Sequence, residues 1–95
     1  MSRQHSSARR RLEIKNRLGL HARAARMLVE AIKDYDAEIT VTKDEQEVNG
    51  KSILSLMMLA AAQGTHLTLE ATGPDAEEAI DALASLIAGR FDESA

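Results

Sequence analysis

Apolar and polar residues alternate along several short stretches of the chain and recur at helical spacing along others, and the order of these stretches outlines a small domain. From Arg11 to Arg17, Leu12 and Ile14 fall on one side while Glu13 and Lys15 fall on the other, which predicts a strand with one buried face. From Ala22 to about Asp34, Ala25, Leu28, Val29 and Ile32 trace one face of a helix. Ala37, Ile39 and Val41 then alternate with Glu38, Thr40 and Thr42, and after the polar run at 44 to 46 a short third strand is expected around Glu47 to Asn49. Asn49-Gly50 marks a turn, and Ser52 stands as N-cap before Ile53, Leu54, Leu56, Met57, Met58 and Leu59, a helix apolar almost all the way round. Such a helix is either completely buried or leaves some of Ile53, Leu54, Met57 and Met58 as an apolar patch, and the pattern leaves both open. A fourth strand is expected from Thr65 to Thr72, with Leu67, Leu69 and Ala71 inward and His66, Thr68 and Glu70 outward. Beyond Gly73-Pro74, Asp75 reads as the cap of a closing helix faced by Ala79, Ile80, Leu83, Leu86 and Ile87, with Glu78 placed to complete a capping box. Phe91 is expected to fold back on the core.

The resulting order is strand, helix, strand, strand, helix, strand, helix. Because every strand alternates, one sheet face must be covered by helices and the other must meet water, which gives an α/β (α+β) two-layer open-faced sandwich on an antiparallel sheet. A ferredoxin-like sandwich would fit the same first six elements. Residues 1–10 lack periodicity and read as a flexible extension with a small basic cluster, 11–91 as the domain, and 92–95 as a short acidic tail.

Composition narrows the function more than the fold. Ninety-five residues allow one core and no cleft between domains. The net charge is −3 with Lys and Arg scattered, so no broad basic face is expected and nucleic acid is a poor candidate partner. The absence of cysteine removes disulfides, thiol chemistry and thiolate metal sites. No run is long and apolar enough for a membrane span and no signal-peptide core follows the start, so a cytoplasmic monomer needing no metal or cofactor is the expectation.

The candidate chemistry lies in Asn16 to Ala25, NRLGLHARAA. Gly19 permits a sharp turn, and the helix begun at Ala22 places its N-cap on His21, with no Ser, Thr or Asp nearby to occupy the first-turn N–H groups. Open N–H groups at the positive end of a helix dipole favour an anion, and Arg23 adds a guanidinium. The dipole also favours neutral imidazole, whose lone pair can attack. A phosphoryl group on that ring would meet the N–H groups and Arg23. The alternative, an exposed polar histidine with no special role, fits the same residues; His5 and His66 are read that way.

The run GLHARAA, with a strand before it and a helix after it, resembles the active-site signature of the HPr family of phosphocarriers of the bacterial phosphoenolpyruvate-dependent phosphotransferase system, including the nitrogen-branch carriers called NPr. A second stretch, VNGKSILSLMMLAAAQGT at 48–65, resembles that family's regulatory-serine segment and the partner-binding helix after it. The likeness extends over roughly residues 11–91 and implies the strand order 1-4-2-3. It further implies that Nδ1 of His21 receives a phosphoryl group from phosphorylated enzyme I and passes it to an EIIA-type domain. Arg23 would balance the phosphate charge, and the backbone N–H groups of Ala22, Arg23 and Ala24 would hold its oxygens. Ser52 would match the serine that a dedicated HPr kinase/phosphorylase modifies in some bacteria, with a plain N-cap as the alternative. Ile53, Leu54 and Met57 would supply the docking surface. Such proteins are carriers and not enzymes. The alanines at 22 and 24 are closer to nitrogen-branch carriers, whereas the KSI run around Ser52 is closer to sugar-branch ones, so the branch stays open. Two other classes are weighed: a small-molecule sensor on a ferredoxin-like sandwich, and a hydrolase using His21, for which no acidic residue lies between Arg17 and Met27 to orient the ring.

Overall fold

A computed structural model describes residues 6–93. The chain forms β1 (Ser7–Glu13), α1 (Ala22–Ile32), β2 (Glu38–Lys43), β3 (Gln46–Asn49), α2 (Ile53–Met58), β4 (His66–Thr72) and α3 (Ala76–Ala88), followed by a 3-10 turn at Arg90–Asp92. The four strands make one sheet in the order β1-β4-β2-β3, and every neighbouring pair is antiparallel. It follows that β1 and β2 run parallel with β4 between them, and β3 and β4 run parallel with β2 between them. The two strand-helix-strand units therefore interlock, which places β1 at an edge.

Alternation works as expected in the two central strands. Ile39 and Val41 stand opposite Ala71 and Leu69 and are buried with Leu67 under the helices, whereas Thr40, Thr42, Thr68 and Glu70 face the open side. The helices close the other face with Ala24, Ala25, Leu28 and Ile32 from α1, Leu56 from α2, and Ala76, Ala79, Ile80, Leu83 and Ile87 from α3. Phe91 is fully buried among them.

Three expectations need correction. The first strand begins at Ser7 and ends at Glu13, so Ser7 to Arg10 belong to the sheet, paired with Thr72 to Leu69, and not to an extension. Its alternation is hidden because Arg10 lies on the helix side, opposite Leu69, where its guanidinium reaches Asp81 of α3 at 3.1 Å. Residues 1–5, including His5, lie outside the described residues. Second, Asp75 stands at the N-cap of α3 but makes no side-chain cap; its Oδ2 accepts from the Asp36 N–H at 2.7 Å and clamps the loop before β2 instead. Third, part of the expected tail returns to the domain, because the buried Phe91 anchors the turn through Asp92 and Glu93 reaches the His21 loop.

Candidate functional site

The segment between β1 and α1 is an ordered loop held at several points. Ile14 extends the pairing beyond β1, donating to the Thr65 carbonyl at 2.8 Å and accepting from the Gly64 N–H at 2.7 Å. Leu20 N–H donates to the Ala61 carbonyl at 2.8 Å, which ties the loop to the segment leaving α2. Gly19 lies in that contact at φ +70°, and a Cβ there would sit 2.5 Å from the Ala61 carbonyl oxygen. Only glycine fits both the backbone angle and the close approach.

His21 follows directly. Its backbone is extended (φ −78°, ψ −179°), it occupies the N-cap of α1, and no side chain caps the helix. The helical ladder starts with the Ala25 N–H on the His21 carbonyl at 2.9 Å, so the N–H groups of Ala22, Arg23 and Ala24 precede it. Ala24 is fully buried and seats the first turn on the core, whereas Ala22 and Arg23 are exposed. The Arg23 guanidinium donates through Nη1 to the Phe91 carbonyl at 3.3 Å, so it links the start of α1 to the end of the chain.

The residue that sequence reading missed is Glu93. Its Oε2 lies 2.9 Å from Nε2 of His21 and accepts from Nδ2 of Asn16 at 2.8 Å, while its Oε1 faces the Leu18 N–H at 3.4 Å. Asn16 is the buried polar residue among the described ones, and its Nδ2 also donates to the Gly19 carbonyl at 2.7 Å. Burial pushes the Glu93 carboxyl up. The hydrogen bonds from Asn16, His21 and Leu18 and the charge of a protonated His21 outweigh that and hold it below its ordinary value. An ionised carboxylate only accepts, so Nε2 is the nitrogen that carries a proton towards Glu93, and the neutral form of the ring would then have its lone pair on Nδ1. The expectation that no acid orients the ring holds only within the local run. Seventy-two positions separate His21 from Glu93, and no local pattern signals a contact of that span.

The second predicted group lies on α2. Ser52 is its N-cap, and Oγ accepts from the Ser55 N–H at 3.2 Å. Leu56 is fully buried, while Ile53, Leu54, Met57 and Met58 are 37%, 69%, 39% and 64% exposed, so α2 leaves an apolar patch and is not a buried helix. Leu18, beside the His21 loop, is 68% exposed. His66 is exposed on β4, opposite Glu13. Among the described residues no cluster of three or more His, Asp or Glu side chains is placed to hold a metal, and no helix is long and apolar enough to cross a membrane.

The family model for the PTS HPr component phosphorylation site matches residues 8–89. Phosphocarrier protein HPr of Neisseria meningitidis serogroup A is 51% identical over 82 residues, covering 86% of this chain and 92% of the relative. Phosphocarrier protein NPr of Escherichia coli K12 is 43% identical over 83 residues, covering 86% and 92%. The crystal structure of HPr-C-His from Thermoanaerobacter tengcongensis superposes with a TM-score of 0.88 at 43% identity, covering 93% of this chain and 99% of that one. With the family model spanning most of its length and relatives of this identity, the chain belongs to the HPr family of phosphocarriers of the phosphotransferase system, which are carriers rather than enzymes.

Proposed function

We propose that this carrier takes a phosphoryl group from phosphorylated enzyme I onto Nδ1 of His21 and passes it to an EIIA-type domain, in the cytoplasm and as a monomer. The observation that carries this reading is the uncapped start of α1, where His21 occupies the cap position and Glu93 engages the opposite ring nitrogen. A phosphoryl group on Nδ1 would add negative oxygens beside the N–H groups of Ala22, Arg23 and Ala24, where the helix dipole favours them. Arg23 would exchange its neutral carbonyl partner for a charge-assisted contact, which is stronger. The protein contributes position and charge, as phosphoryl transfer requires.

Ile53, Leu54 and Met57 are assigned to partner docking, since they form an exposed apolar surface on the helix whose exit is tied to the His21 loop. Ser52 is the regulatory candidate, and its Oγ already serves as a cap, so an HPr kinase/phosphorylase would have to reach it at the edge of the same surface. The regulatory, nitrogen-branch reading is supported by the alanines at 22 and 24 and by the NPr relatives, the sugar-uptake reading by the run around Ser52 and the HPr relatives.

The test is incubation with enzyme I and phosphoenolpyruvate, followed by intact mass before and after acid treatment, then mixing with sugar-type and nitrogen-type EIIA acceptors. One acid-labile phosphoryl group is expected, lost in His21→Ala and kept in His5→Ala and His66→Ala. Equal labelling of the His21→Ala protein would end the reading, and the acceptor that drains the label faster identifies the branch.

A further inference from the structure

Glu93 is held too deliberately for a residue that follows the last helical turn. Phe91, fully buried, fixes the preceding turn. Asn16 then sets the carboxylate itself, bridging the Gly19 carbonyl and Oε2 with one NH2 group at 2.7 and 2.8 Å. Those two acceptors determine which way the amide points. The opposite atom, Oδ1, is buried with no partner, an unfavourable arrangement that an apolar side chain would avoid. Besides pinning the Gly19 carbonyl, the Asn16 amide holds a carboxylate 2.9 Å from Nε2 of His21 with only 11% of its side chain exposed.

We propose that Glu93, set by Asn16, holds one proton on Nε2 of His21 through the whole phosphoryl cycle, so that the group arrives on Nδ1 and leaves it with no proton exchanged. This rests on His21 being the phosphoryl-bearing residue. In the accepting step the Nδ1 lone pair forms the N–P bond while the bond from phosphorus to the donor breaks and its electron pair stays with the donor. The ring, already protonated at Nε2, becomes a positively charged phosphoimidazolium, and the Glu93 carboxylate balances that charge. In the donating step the acceptor's lone pair forms the new bond to phosphorus, the N–P pair returns to Nδ1, and the ring leaves as neutral imidazole. Without the Nε2 proton the leaving group would be an imidazolate anion, a far poorer one. Glu93 therefore sets the upper pH at which the phosphorylated protein remains a donor.

The surrounding charges agree in sign. Arg23 on α1 lies on the side of the first-turn N–H groups and would face the phosphoryl oxygens, Arg17 is exposed on the loop, and Arg90 and Asp92 flank the turn with both side chains exposed. Among the described residues, the charged side chain in contact with the ring is Glu93. It acts as a positioning residue, since it touches the ring but not the reacting nitrogen.

The full chain can be phosphorylated with phosphoramidate, a chemical donor that needs no partner protein, and the His21 ring followed by 1H–15N NMR through neutral and alkaline pH. In the wild type the unphosphorylated ring should show the Nε2–H tautomer, and the phosphorylated ring should keep its Nε2 proton to a pH about one unit higher than in Glu93→Ala, a tenfold difference in proton affinity. Glu93→Gln, which keeps the shape without the charge, should follow Glu93→Ala, and Glu93→Asp should recover part of the difference. The pH at which spontaneous phosphoryl loss slows should move with the same titration. Identical titrations of wild type, Glu93→Ala and Glu93→Gln would overturn the proposal while leaving His21 as carrier. Labelling that persists in His21→Ala would remove the carrier reading and this proposal with it.

Discussion

Replacing Gly19 by alanine measures how firmly the loop before His21 is held. At φ +70° an L residue carries a penalty of about 1–2 kcal/mol. The added Cβ would also lie 2.5 Å from the Ala61 carbonyl oxygen and 3.0 Å from Ala62 Cα, both backbone atoms that no side-chain rotation can move aside. The loop and the segment leaving α2 must separate, which stretches the 2.8 Å bond from Leu20 N–H to that same carbonyl. Losing a hydrogen bond of this kind costs about 0.5–1.5 kcal/mol, so the substitution should destabilise by about 1.5–3.5 kcal/mol in all. For a domain of this size each kcal/mol lowers Tm by about 4–8 °C, and thermal denaturation followed by far-UV circular dichroism should show a fall of about 6–28 °C. Phosphoryl acceptance should fall too at temperatures where the variant is folded, because the His21 N–H donates to the Gly19 carbonyl at 2.9 Å and moves with it. A Tm within about 2 °C of wild type would show that the two segments yield freely, and the account of a rigidly positioned His21 would be wrong.

Further outcomes are expected elsewhere in the site. Arg23→Ala should keep the fold, since the side chain is exposed and its bond to Phe91 is a long one. Stopped-flow transfer should slow about 10- to 100-fold, the worth of a charge-assisted contact made in the transition state; unchanged rates with both donor and acceptor would refute its role. Ser52→Ala removes the acceptor of the Ser55 N–H and should lower stability by about 1 kcal/mol in a urea titration. Ser52→Asp can still cap and should melt within a few degrees of wild type, yet accept phosphoryl from enzyme I with a raised KM; an unchanged KM would place docking elsewhere. Because the Glu93 carboxyl is depressed in the folded state, its contribution is fully present above its ordinary value of 4.5 and is lost as pH falls through the lower folded value. The Asn16 side-chain amide resonances should report that loss in acid, and an Asn16 signal indifferent to acid would mean the carboxylate is not seated there.

Much of the fold is legible in the sequence because the central strands and helices each bury one side. Ile39 and Val41, or Leu67, Leu69 and Ala71, cannot alternate with polar neighbours by any other common arrangement, and the spacing of Leu28 and Ile32 has the same force. The strand order is not legible that way, since alternation tells which face is buried and not which strand is next; only the resemblance to a family implies it. β1 starts earlier than its alternation predicts because an edge strand can send Arg10 along the helix side and still keep its charge in water. The site was half legible. An uncapped helix start with His21 and Arg23 is a local pattern, but Glu93 and Asn16 act through contacts made only after the chain has closed on itself. Asp75 carries the opposite lesson: a capping box is present in the letters, yet the carboxylate does more by fastening the loop at Asp36.

The interlocked order of the sheet also governs when a working molecule can exist. During synthesis the β2–β3 hairpin can pair early, but β1 has no neighbour until β4 enters between it and β2. Sheet closure therefore waits for residues 66–72 to leave the ribosome. His21 is synthesised in the first quarter of the chain, yet its ring gains its carboxylate only with residue 93. A nascent or truncated chain thus carries the histidine without the carboxylate that lies 2.9 Å from its Nε2 once the domain has closed.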